Sequence, residues 1–110
     1  MAVIVQTDKP SDLLKAIRKA IDDKVVETWS YDSEGDFTHT PSQWNKKAWL
    51  RPKVYTGELR FGILAPKDTK LSKTIYGIYH GRFIEMLLDH FDTQFSLANA
   101  TAQKTAPDIF

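Results

Sequence analysis

The stretch "YGIYHGRFIEMLLDHF" (76–91) sets an ionisable imidazole among apolar residues. At about 100° per residue, a helix there gathers Tyr76, Phe83, Ile84, Leu87 and Phe91 onto one stripe, with His80 inside it. Burial favours the neutral imidazole, and a neutral imidazole near pH 7 can take a proton from a substrate. His80 is therefore a candidate general base, with Tyr76 or Tyr79 as the polar neighbour. The competing reading is a core histidine with one ring nitrogen bonded to a tyrosine hydroxyl or a carbonyl, because buried polar groups nearly always have partners. Gly77 and Gly81 lie one turn apart at the edge of the stripe. Glycine weakens a helix, so two in this register suggest close approach of a backbone or a ligand.

The second chemically dense stretch is "THTPSQWNKKAWLRPKVY" (38–55), which interleaves Trp44, Trp49 and Tyr55 with Lys46, Lys47, Arg51 and Lys53. Aromatics that stack on bases, beside cations that meet phosphates, suit single-stranded nucleic acid, here through the hairpin 44–60. On a strand, Trp49, Arg51 and Lys53 share one face and Leu50 and Val54 the other. The same side chains, with Trp29 and Tyr31, also suit a protein interface, the tryptophans as anchors and the cations as charge complements. No RNP or KH signature supports the nucleic-acid alternative.

Other chemistry is narrowed by what the chain lacks. It has no cysteine, which removes disulfides, thiol catalysis and cysteine-based zinc sites. "YDSEGD" (31–36) has oxygen donors and a glycine but neither the spacing nor the closing glutamate of an EF-hand loop. His80 and His90, ten residues apart on one helix, are separated by about 15 Å and cannot share a zinc ion. His39 falls on an expected strand, and nothing in the sequence supports its meeting His80 across a sheet–helix interface. Walker, dinucleotide and G-x-S-x-G motifs are absent. No metal and no cofactor are expected.

The elements that must position these residues fit one domain. The 110 residues are 42% hydrophobic and 26% charged, an ordinary globular composition. No apolar run approaches the roughly 20 residues of a membrane span. The N-terminus "MAVIVQTDKP" lacks the basic start and cleavage site of an export signal, so a cytoplasmic location and no membrane contact are expected. Net charge is +1, but it is unevenly spread. Residues 46–73 carry eight cations against two carboxylates, and residues 22–36 carry six carboxylates against one lysine. Cross-strand pairing of the two segments would neutralise both.

"AVIV" (2–5) reads as a buried strand. "TDKPSD" starts a helix whose stripe is Leu13, Leu14, Ile17, Ala20 and Ile21. "VVETWSY" and "DFTHT" form a hairpin about "DSEG", and "AWLRPKVY" and "ELRFGIL" form a second about "TG". Pro52 places its strand at an edge or bulge. Ser72 caps the second helix, about 73–91, and "TQFSLANATA" supplies a last strand. The order β-α-β-β-β-β-α-(β) implies an α+β two-layer sandwich, a mainly antiparallel sheet with two helices on one face. Residues 1–102 form the domain, and 103–110 read as a loose tail. Thirteen aromatics, 12% of the chain, are many for a single core. An aromatic patch on the second sheet face, including Trp29, Tyr31, Trp49 or Phe61, would need a partner. The expectation is a small binding or regulatory module, acting on itself as a homodimer or on another protein.

Overall fold

Residues 2–6, AVIVQ, alternate buried and half-buried along most of their length and form β1 (Ala2–Gln6), an interior strand one place from the edge of a six-stranded sheet. A computed structural model of the chain describes residues 2–102; the expected tail, 103–110, lies outside them. The further elements are α1 (Pro10–Asp22), β2 (Trp29–Tyr31), β3 (Phe37–His39), β4 (Trp49–Tyr55), β5 (Glu58–Leu64), α2 (Lys73–Phe91) and β6 (Leu97–Ala100). The strands run in the order β2-β3-β4-β5-β1-β6, and every described pairing is antiparallel. Both helices pack on one face, which makes the expected α+β sandwich. Among the described residues no helix is long and apolar enough to cross a membrane.

Local chemistry fixes each boundary. Pro10 opens α1, where a missing N–H costs nothing. The Ser72 hydroxyl accepts the Ile75 N–H at 3.2 Å and caps α2. Gly57 turns the β4–β5 hairpin with φ at +78°, a region that favours glycine. In the β2–β3 loop, Asp32 Oδ1 accepts the N–H groups of Glu34 and Asp36, each at 3.0 Å. Pro52 has no N–H to donate, and its place in the sheet allows this. β3 meets β4 only at Phe37↔Leu50, so from Pro52 onward β4 has a neighbour on one side only.

The core sits between the helices and one sheet face. Val3, Val5, Phe37, Leu50, Leu59, Phe61 and Ile63 from the strands meet Leu13 and Ile17 of α1 and Phe83, Leu87 and Phe91 of α2. The α2 stripe is rotated from its expected position. Tyr79 and Met86 are buried, whereas Tyr76 and Ile84 are only partly so. The Tyr79 hydroxyl explains the rotation: it donates to the Trp44 carbonyl and lies 3.0 Å from the Thr38 hydroxyl. A tyrosine at the stripe's margin thus ties α2 to the 40–48 loop. Of the two expectations for Gly77 and Gly81, the close approach of another backbone is corrected: among the described residues nothing lies within 4 Å of where a Cβ would stand at either.

Candidate functional site

The chemically dense segment 38–55 does not make one surface. The strand alternation that buries Leu50 turns Trp49, Arg51, Lys53 and Tyr55 to the opposite, helix-free face. Lys46 and Lys47 lie instead on the loop before β4. With Lys70 and Ser72 they border a groove of about 350 Å³ near the start of α2. Trp44 belongs to a third place, a groove between the 40–44 loop and α2.

Two of the expected surface aromatics are on the helix side, as is Phe61, which is fully buried. Trp29 is a core residue, 1% exposed. It packs edge-on against Tyr79 and Phe83 with ring centroids at 5.6 and 4.9 Å. Tyr31 follows two residues later on the same side. Its hydroxyl donates to Asp22 at the end of α1, at 2.7 Å, and the Arg18 guanidinium lies 5.8 Å from its ring. The placement of Trp29, Tyr31 and Phe61 on the open sheet face is therefore corrected. Their neighbours in register, His39, Phe37 and, for Phe61, Val3, also face inward.

The helix-free face is ordered in cross-strand rows. Trp49 stands beside Leu64, Lys53 beside Arg60, Ile4 and Asn99, and Tyr55 beside Glu58, Gln6 and Leu97. Arg60 pairs with Glu58 and lays its guanidinium over the Tyr55 ring, 4.2 Å from the centroid. Lys53 Nζ approaches the same ring at 5.6 Å. Arg51 pairs with Asp36 and, at 3.0 Å, with Glu34. Of the eight cations of residues 46–73, Arg51 is the one described as paired with the acidic loop, so the expected cross-strand neutralisation is met at that residue, while Arg60 pairs inside its own hairpin. Arg51 and Arg60 both have raised pKa values, held by the hydrogen-bonded carboxylates of Asp36 and Glu58.

His80 has the geometry of the second reading offered for it. It is buried in the α2 layer, and its Nδ1–H donates to the Tyr76 carbonyl one turn back, at 2.7 Å. A groove is lined instead by His39 and His90, of which His39 is the buried one and was not among the candidate site residues. His39 is 5% exposed and lies against Trp29 with ring centroids 4.6 Å apart. Its Nδ1 lies 2.7 Å from the Thr28 carbonyl. A carbonyl only accepts, so Nδ1 carries the proton and the neutral ring keeps its lone pair on Nε2. Burial holds the His39 pKa below its ordinary value, and the Arg82 charge adds to this; the Thr28 bond and Glu85 oppose it.

His39 shares with Trp44, Arg82, Glu85, Asp89 and His90 the lining of a groove of about 350 Å³. The signal for this site was partly legible. His39 alternates with buried Phe37 and so must face the helices, but which α2 residues meet it depends on the helix rotation set by Tyr79. A larger cavity, about 620 Å³, lies between the start of α1 and the turn before β6. There the Thr7 hydroxyl is committed to the Gln94 carbonyl at 2.7 Å. Among the described residues, no three His, Asp or Glu side chains converge to hold a metal ion. No family model, curated protein or solved structure matches the chain.

Proposed function

We propose that the protein is a cytoplasmic binding module, that its contact surface is the helix-free sheet face, and that its partner is a second copy of the chain. One observation carries this reading. Arg51 and Arg60, which would make the face cationic, are each paired within it or at its rim, to Asp36 and Glu34 and to Glu58. Lys53 is the one cation of β4 and β5 for which no carboxylate bond is described. Such a face does not repel its own copy. Between the paired charges stand Ile4, Trp49, Tyr55, Leu64 and Leu97, the last 53% exposed. Rigid aromatics and arginines are the side chains that anchor interfaces best. A two-layer α+β fold leaves this sheet face without a cover of its own, and a two-fold dimer is the commonest way to supply one.

A single-stranded nucleic-acid reading keeps one support, the clustering of Lys46, Lys47 and Lys70 around one groove. It lacks an aromatic platform there, because Trp44 borders a different groove and Trp49 stands on the sheet. Equilibrium sedimentation tests the proposal. The wild type is expected to show a concentration-dependent dimer, and Trp49→Ala with Leu64→Ala a monomer of unchanged secondary structure. A wild type that stays monomeric to hundreds of micromolar would overturn it. Saturable, steeply salt-dependent binding of a mixed-sequence oligonucleotide by such a monomer would instead favour the lysine groove.

A further inference from the structure

We propose that the groove beside His39 binds a small organic ammonium ion with an aromatic or apolar body. The groove lies on the helix side of the sheet, so the inference stands apart from the dimer. It starts from an acceptor. The Thr28 carbonyl fixes the His39 proton on Nδ1, and no described residue bonds Nε2. A side chain 95% buried therefore presents a lone pair in a cavity it lines. That lone pair calls for an N–H or O–H donor.

The charges around it select which donor. Arg82, Glu85 and Asp89 line the groove, and the Arg82 guanidinium is turned to both Glu85 oxygens at 3.4 Å. Glu85 is thereby partly compensated, and Asp89 has no described cationic partner. With His39 neutral the lining has one more carboxylate than cation. His90, the remaining titratable group, would oppose a cation only when protonated. A protonated amine meets every part of this set: its N–H groups suit Nε2 and the Asp89 carboxylate. Trp44 and Met86 offer an apolar wall, and an indole face attracts a cation. A cavity of about 350 Å³ is at the small end of ligand sites, which run from roughly 300 to 1,000 Å³.

Three probes sharing one ring separate the terms: benzylamine, benzyl alcohol and benzoate. Each is titrated into the full chain while the Trp44 indole N–H and His39 ring signals are followed by NMR. The amine is expected to bind with a Kd at least about ten-fold below that of benzoate, with the alcohol between. Asp89 is exposed, so Asp89→Asn leaves the fold intact; it is expected to weaken the amine several-fold and leave the alcohol unchanged. His39→Gln should weaken amine and alcohol together. Benzoate binding as tightly as the amine would make Arg82 the anchor and overturn the proposal. So would the absence of any response to the three probes at tens of millimolar, or an Asp89→Asn variant that binds the amine as the wild type does.

Discussion

Arg51 grips Asp36 through two parallel hydrogen bonds, Nε to Oδ1 at 2.9 Å and Nη2 to Oδ2 at 2.7 Å. The carboxylate is 4% exposed and the arginine 43%, so the pair reaches from the edge of the core to the helix-free face. It joins the acidic β2–β3 loop to the basic β4 strand, and it occupies the arginine that a phosphate would otherwise find.

Removing Arg51 leaves a buried carboxylate without its cation. Arg51→Ala is expected to cost about 2 kcal/mol, below the range for fully buried pairs because the arginine is partly solvated. Lys53→Ala, two residues on and exposed, is expected to change stability by less than about 0.5 kcal/mol. Urea unfolding of the two variants checks the contrast; equal effects would mean that Asp36 finds other partners.

The Tyr79 hydroxyl is the second long-range tie. Tyr79→Phe takes the side-chain donor from the Trp44 carbonyl and is expected to cost about 1–2 kcal/mol. The same change should loosen the 41–46 loop and red-shift Trp44 emission. An unchanged unfolding midpoint and spectrum would show that the loop is held by its turns alone.

Gly77 and Gly81 offer stabilisation. Both are exposed on α2, with open space where a Cβ would stand. Each glycine-to-alanine change is expected to add up to about 1 kcal/mol. Gly57→Ala should do the reverse, because φ there is +78° and a side chain is strained in that region. Thermal midpoints of the three variants test the pattern, and loss of stability in Gly77→Ala or Gly81→Ala would reveal a contact on that helix face.

His39 gives the fold a pH dependence of known sign. Its pKa in the folded protein is lowered below the ordinary 6.5, chiefly by burial. The unfolded chain therefore takes up this proton first as pH falls. Its contribution to stability is complete above the unfolded value and is lost as pH drops below about 6.5, at a slope of at most about 1.4 kcal/mol per pH unit. Unfolding free energies from pH 7.5 to 5.5 should fall more steeply for the wild type than for His39→Gln. Equal slopes would place the lost stability in other groups.

Much of the fold was legible because the signals were local. The proline at the start of α1, the "TG" turn and the Ser72 cap each act within a few residues, and the order of elements follows from them; of the expected strand "VVETWSY" only Trp29–Tyr31 is strand, and Val25 is exposed. The charge asymmetry pointed to one contact, Arg51 with Asp36 and Glu34, and not to where the lysines of residues 46–73 would lie. The candidate site was less legible. Which face of β2 carries Trp29 depends on where the three-residue strand begins, and a shift of one residue reverses it. The position of His39 opposite Arg82, Glu85 and Asp89 depends on the rotation of α2, which a tyrosine–carbonyl bond sets across 35 residues of chain. Neither leaves a pattern in the local sequence.

The most direct test of the contact face is isotope-filtered NMR on a mixture of labelled and unlabelled chains. It reports only contacts between copies. Intermolecular contacts are expected from the Trp49 ring to methyl groups of Ile4, Leu64 or Leu97. A dimer whose intermolecular contacts lie instead along α2, or a sample at millimolar concentration with no such contacts, would contradict it.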